Sequence, residues 1–235
     1  MSTVDHAQTK TLLPPLADGQ QLDQPTFHER YEAMPEATWA ELVGGRVYMP
    51  SPVRNEHSEY DEDRALWTGL YRKSTKGIRG GKSATVILGP FGEVQPDGHL
   101  RIPQVLGGRT RIEKGYIVGA PELVIEVAPS SRSYDLNEKK AEYAQAGALE
   151  YLVIALDPDR AHWFVLRDGL FEDLPADADG IHRSLVFPGL WLDAEALFAE
   201  DMDRLVEVLD QGLATPAHAA FAAKLIAAGA DKRPR

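Results

Sequence analysis

Two apolar runs with a polar, helix-patterned stretch between them organise the middle of the chain. The first is Glu122-Leu123-Val124-Ile125-Glu126-Val127-Ala128 and the second runs from Leu149 to Leu156. Runs this short and this rich in β-branched residues read as buried strands. Pro129-Ser130-Ser131 breaks the first. A helix is predicted from Leu136 to Ala146, with Asp135 as its cap, Glu138 three residues later and Gly147 closing it. Strand, helix and strand at this spacing make a crossover unit, which implies a parallel strand pair.

The same reading extends outward. Thr26 to Met34 is predicted helical, capped by Thr26 with Glu29 three residues on. Glu41–Val43 and Arg46–Met49 flank Gly44-Gly45, a pair that supplies the positive φ angles of a tight hairpin. Residues 55–73 place Tyr60, Leu66, Trp67, Leu70 and Tyr71 among charged residues, the pattern of an amphipathic helix. Ala84–Leu88 reads as a strand, and another begins near Asp97 and includes Leu100–Ile102. The glycine-rich, basic stretch 104–120 reads as a loop or flap. His162–Leu166 and Gly169–Phe171 suggest a further hairpin, Ser184–Phe187 an edge strand, and Ala194–Phe198 a short helix. Residues 201–230 are alanine-rich and helical with a break at Thr215-Pro216, a packing or oligomerisation element. The organisation expected is an N-terminal arm (1–25), one mixed-sheet α/β domain (26–198) and a helical C-terminal extension (199–235).

Composition narrows the chemistry. The absence of cysteine removes disulfides, thiolate zinc sites and cysteine nucleophiles, and fits a reducing, cytoplasmic setting. No signal peptide is expected, nor a membrane partner, since no run of ~18 apolar residues occurs. A net charge of −11 argues against a general nucleic-acid coat protein, whose affinity comes from neutralising phosphates. Local basic stretches remain: Arg72, Lys73, Lys76, Arg79 and Lys82, then Arg101, Arg109, Arg111 and Lys114. Either is a solvated face or a surface for phosphates.

The residue that breaks the apolar pattern is Glu126. An ionised carboxylate in a buried strand is costly unless a metal, a cation or a functional cleft compensates it. Asp97 follows a turn-like Gln95-Pro96 pair, and Lys139 and Lys140 follow the strand. Two acids ~4 Å apart repel by about 4 kcal/mol at an effective dielectric of 20, and a divalent cation turns that repulsion into binding. Magnesium accepts one or two carboxylates plus substrate oxygens, and a nearby lysine can orient water and stabilise phosphate charge. Helical geometry does not separate Lys139 from Lys140. Glu122 shares the strand face of Glu126, but its place at the strand start suggests solvent.

In this order the residues resemble the Uma-type restriction-endonuclease family of the PD-(D/E)XK nuclease superfamily. Pro96-Asp97 resembles the PD element, Glu122–Ser130 the strand bearing the second acid, and Asp135–Lys139 with Tyr143 the lysine helix. Gly147–Ile154, Glu41–Val47, Ser51-Pro52 through His57, and Phe187–Trp191 resemble further family segments. The resemblance implies a restriction-endonuclease-like core, a central mixed β-sheet flanked by helices. It implies a DNA endonuclease in which Asp97 and Glu126 hold magnesium or manganese, Glu41 adds to the metal shell, and Lys139 orients the attacking water. His57 and Tyr143 are accessory candidates, and a homodimer suits the cutting of two strands. The family's lysine two residues after the acid is absent, since position 128 is alanine; Gly44 stands where an acid is usual; and Gly98-His99 weaken the strand after Asp97. The alternative is a catalytically degenerate nuclease-fold protein acting as a binding or assembly module. A serine hydrolase is disfavoured by the lack of a G-x-S-x-G elbow, and a dinucleotide site by the lack of a strand–GxGxxG–helix context.

Overall fold

The computed structural model describes residues 13–35, 38–49, 55–128 and 134–230. The Pro129-Ser130-Ser131 break and the Ser51-Pro52 turn lie outside the described residues, as do residues 1–12 of the arm. In chain order the elements begin with α1 (Gln24–Glu32), β1 (Glu41–Val43), β2 (Arg46–Tyr48), α2 (Asn55–Ser74), β3 (Arg79–Gly81), β4 (Val86–Gly89), β5 (Gly92–Val94) and β6 (Gly98–Arg101). They continue with β7 (Arg111–Glu113), β8 (Tyr116–Val118), β9 (Leu123–Ala128), α3 (Glu138–Ala146), β10 (Glu150–Leu156), β11 (Asp159–Arg167) and β12 (Leu170–Asp173). The chain closes with β13 (Ile181–Arg183), β14 (Trp191–Asp193), α4 (Ala194–Phe198), α5 (Met202–Leu213) and α6 (Pro216–Ala230).

The strands form two six-stranded mixed sheets, ordered β2-β1-β5-β4-β8-β7 and β12-β11-β10-β9-β6-β3, with β13-β14 as a separate ribbon. The crossover unit is present: β9 and β10 are parallel, with Glu126 opposite Val153, and α3 connects them. Every residue of β9 is buried because both faces are covered. Leu123, Ile125 and Val127 pack with Trp67, Tyr71, Leu205 and Leu209. Val124 and Ala128 pack on the other side with Tyr143, Tyr151 and Val153. This double burial is why the strand reads as an unbroken apolar run. Alternation puts Glu126 on the Tyr143 side, under α3.

Helices α5 and α6 lie against the domain, with Leu205, Leu209 and Leu225 in the same core as Trp67. Part of the N-terminal segment is also tied in: Leu16 is buried with Phe27, Leu42 and Val47. No helix among the described residues is long and apolar enough to cross a membrane.

Four local expectations are corrected. Helix α1 starts before Thr26, because the Asp23 side chain accepts the Thr26 N–H at 2.9 Å and is the true cap. The 104–120 stretch is not an open flap: 111–118 forms the β7–β8 hairpin, turned by Lys114 and Gly115 with φ of 49° and 94°. Residues 184–187 are no edge strand. The Ser184 hydroxyl and the Leu185 and Val186 N–H groups all donate to the buried Glu150 carboxylate, so they turn inward instead of joining a ladder; β13 and β14 pair instead. Asp135 does not cap α3. It lies in a single 3-10 turn, Tyr134–Leu136, and Asn137 occupies the cap position.

Candidate active site

Glu126 reaches from β9 towards the inner side of α3. Its Oε1 accepts hydrogen bonds from Lys139 Nζ at 3.0 Å and from the Tyr143 hydroxyl at 2.9 Å. Its Oε2 accepts the Asp97 backbone N–H at 3.2 Å, and Asp97 Oδ2 in turn accepts the Val127 N–H at 2.7 Å. This reciprocal clasp fixes the Pro96-Asp97 turn against the strand that carries the second acid. Glu41 enters from the other sheet. Its Oε1 accepts the Gln95 N–H at 2.8 Å, and its Oε2 lies 2.9 Å from Lys139 Nζ and accepts the Tyr134 hydroxyl. Asp135 Oδ1 is 3.6 Å from the same ammonium. Glu126 is 2% exposed and Lys139 4%.

Neighbouring lysines diverge because successive helix positions point about 100° apart. Lys139 faces the carboxylates, whereas Lys140 Nζ lies 3.4 Å from the centroid of the Phe164 ring on β11. Tyr143, one turn beyond Lys139, is wholly buried and hydrogen-bonded to Glu126, so it is both a core residue and part of the cluster. His57 lies in the first turn of α2, and its side chain is outside the described residues. Glu122 is buried rather than solvated: it accepts the Ile102 and Arg109 N–H groups and holds the segment between them, well apart in role from Glu126.

Burial pushes the Glu126 carboxyl well above the usual carboxylate range. Lys139 opposes this, while Asp97, Asp135 and Glu41 reinforce it. Burial acts to depress the Lys139 ammonium, but Glu126 and Glu41, followed by Tyr143 and Tyr134, outweigh it and hold it well above the ordinary lysine range. Lys139 is therefore a cation at neutral pH. Burial, then Glu126, raise the Tyr143 phenol, which keeps its proton and donates. Three buried carboxylates, Glu41, Glu126 and Asp135, thus stand around one ammonium, with Asp97 on the far side of Glu126.

Sequence patterns did not single out Arg64, Tyr134 or the Gln95 N–H. Arg64 is 1% exposed, pairs with Asp61 three residues earlier, and donates through Nη2 to the Asp97 carbonyl at 2.7 Å. Its signal was available: positions 60, 64, 67 and 71 form one helical stripe, and Arg64 interrupts it between Tyr60 and Trp67. The same arginine accounts for Gly98, since a Cβ there would fall 2.0 Å from its Nη1. Gly98-His99 therefore does not abolish the strand; β6 forms with a glycine where the guanidinium crosses it. Gly44 has φ of 57° and gives its N–H to Glu142 at 2.9 Å, so its place in the hairpin is conformational.

Comparison with known proteins bears on this arrangement. A family model described as "Putative restriction endonuclease", Uma2, matches residues 26–195. The chain belongs to the Uma2 family. The matched segment contains Lys139, the acids Glu41, Glu126 and Asp135 around its ammonium, and Asp97, whose backbone N–H donates to Glu126. A crystal structure described as a putative nuclease belonging to DUF820, from Anabaena variabilis, superposes with a TM-score of 0.55 at 17% identity, covering 73% of this chain and 96% of that one. It shares the fold. No curated protein matches the sequence. Restriction-endonuclease-like families generally use divalent metals. Among the described residues no three His, Asp or Glu side chains converge as a ready metal group. The donor chemistry nevertheless suits a hard cation: Asp97 and Glu126 offer oxygen only, and magnesium asks for no more than one or two protein carboxylates.

Proposed function

We propose that this Uma2 protein is a metal-dependent endonuclease that hydrolyses DNA phosphodiester bonds. The observation that carries the reading is geometric: three buried acids, Glu41, Glu126 and Asp135, lie 2.9, 3.0 and 3.6 Å from the single ammonium of Lys139. A purely structural ion pair needs one acid, and desolvating two more costs stability with no return in packing. A divalent cation balances the surplus. Asp97 and Glu126 would hold magnesium or manganese, with Glu41 adding to the shell. The metal, when bound, supplies charge stabilisation on the phosphate and a more acidic water.

The chain's own groups divide the remaining work. Lys139, kept protonated by Glu126 and Glu41, serves as a donor that orients water and stabilises phosphate charge, rather than as a base. Tyr143 holds the Glu126 carboxylate from the α3 side, and the clasp between Asp97 and Val127 keeps the two acids in register. Tyr134 fixes Glu41 and stacks on Tyr48 at 5.1 Å between ring centroids.

A second reading, a nuclease-fold protein without catalysis, is favoured by one observation: Lys139 is already bridged by Glu126 and Glu41 at 3.0 and 2.9 Å. Calorimetric titration with magnesium and manganese, on the native chain and on Asp97→Ala and Glu126→Ala, separates the two. Binding lost in both variants, with divalent-dependent cleavage of plasmid DNA by the native chain, supports the enzyme. Absence of both binding and cleavage in the native chain supports the second reading.

A further inference from the structure

Helix α2 and the edge strand β3 enclose a cleft of about 190 Å³ that shares only Arg64 with the groups already described. Arg64, Arg72 and Lys82 line it, no acid does, and Gly69, Gly80, Gly81 and Leu100 complete the part that concerns charge and space. Asp61 pairs with both Arg64 and Lys82, which leaves the three cations in excess. Arg72 is fixed by a bond to the Gly80 carbonyl at 2.8 Å.

One feature of the cleft and one of the strand edge beside it lack a reason internal to the fold. Gly69 sits in the interior of α2, where glycine costs about 1 kcal/mol against alanine. A Cβ there would meet nothing within 4 Å, so packing does not demand it. The glycine keeps open a space that nothing in the chain fills. Around the same edge, Arg79 stands directly opposite Arg101 across the β3–β6 ladder, a like-charge pair that opposes sheet pairing. The Arg101 Nε is buried with no hydrogen-bond partner. The positive potential there is felt nearby: burial, then Arg101, Arg64 and Arg72, depress His99 to about 4.

The cleft adjoins the candidate active site directly. Arg64 lines the cleft and also holds the Asp97 carbonyl, while the Ser83 N–H, next to Lys82, donates to the Pro96 carbonyl at 2.9 Å. We propose that the α2–β3 cleft holds phosphates of the nucleic-acid strand that flanks the scissile bond, with Arg72 and Lys82 as direct contacts and Arg64 linking the cleft to the Pro96-Asp97 turn. The inference rests on the nuclease reading for its ligand and locates where that ligand's backbone leaves the site. It also accounts for DNA binding by a chain of net charge −11: the positive charge is gathered at one sheet edge.

The test is binding of a short dye-labelled DNA, single- and double-stranded, in EDTA across a salt series, for the full chain and for Lys82→Gln, Arg72→Gln, Gly69→Met and Glu126→Gln. Each of the two cation variants is expected to weaken binding about tenfold and lower the salt slope by about 1. Gly69→Met is expected to raise thermal stability while weakening binding, because methionine favours the helix and fills the cleft. Inorganic phosphate at millimolar concentration should compete weakly; equal affinity for free phosphate and DNA would overturn the assignment to a strand. Native binding by Lys82→Gln and Gly69→Met, or no DNA binding by the native chain, would overturn it too. The nuclease reading fails separately: a native chain that binds DNA through the cleft, yet never cuts with any divalent metal, leaves the cleft standing and removes the enzyme.

Discussion

Glu126 on β9 and Glu150 on the adjacent β10 are both buried acids in apolar strands, and they differ in the company they keep. Glu150 receives the Ser184 hydroxyl at 2.6 Å and the Leu185 and Val186 N–H groups at 2.6 and 3.2 Å. Donors surround it and no other carboxylate takes part, although burial still raises its pKa. Glu126 receives one ammonium, one phenol and one N–H, and faces three further acids. Burial alone does not mark a functional acid. On the proposed reading the distinguishing feature is an excess of neighbouring acids, which leaves a charge imbalance that a cation can meet.

The contrast can be broken most decisively at Glu126. Glu126→Gln is expected to reduce divalent-dependent DNA cleavage by about a thousandfold, several kcal/mol of barrier, while circular dichroism shows an intact fold. Cleavage at the native rate would place Glu126 in the same class as Glu150. Glu150→Ala should do the opposite. It orphans a buried hydroxyl and two partly buried N–H groups, and about 3 kcal/mol of stability is expected to go, a fall of roughly 6–12 °C in Tm by scanning calorimetry. Its cleavage rate below the transition should be native.

Metal addition sharpens the difference further. Magnesium at a hundred times its Kd should stabilise the native chain by about 2.7 kcal/mol, and Glu150→Gln equally, but leave Glu126→Gln unmoved in a thermal-shift titration. The smallest effect is on pH. The folded-state pKa of Glu126 is raised, so its contribution to stability is complete below the ordinary carboxylate pKa and is lost as pH rises through the raised value. Without metal, the stability of Glu126→Gln in denaturant melts should therefore fall less steeply than that of the native chain as pH rises from the ordinary carboxylate pKa to the raised value. An unchanged slope would mean that Lys139 compensates the carboxylate in full.

Local pattern made part of this legible. The β9–α3–β10 unit and the β1–β2 hairpin were readable because hydrophobic period, Gly147 and Gly44-Gly45 all act over a few residues. Glu126 was readable as an acid out of place, and the family resemblance favoured Lys139 over Lys140 where helical geometry did not. What stayed hidden depends on distant partners. Tyr134 meets Glu41 across 93 positions and Arg64 meets the Asp97 carbonyl across 33. The split into two sheets was hidden for the same reason, since β1 finds β5 only in space. Glu122 and Glu150 were opaque because an acid in an apolar run looks the same whether donors or acids await it.

The crossover connecting β9 to β10 also sets the order in which the cluster can come together. Glu126 meets Lys139 and Tyr143 at sequence separations of only 13 and 17. Such short-range contacts close with less loop entropy than distant ones. Glu41 arrives from 93 positions upstream of Tyr134, on a strand of the other sheet. The acid–lysine half of the site therefore closes over a short stretch of chain, whereas completing the cluster requires one sheet to dock against the other.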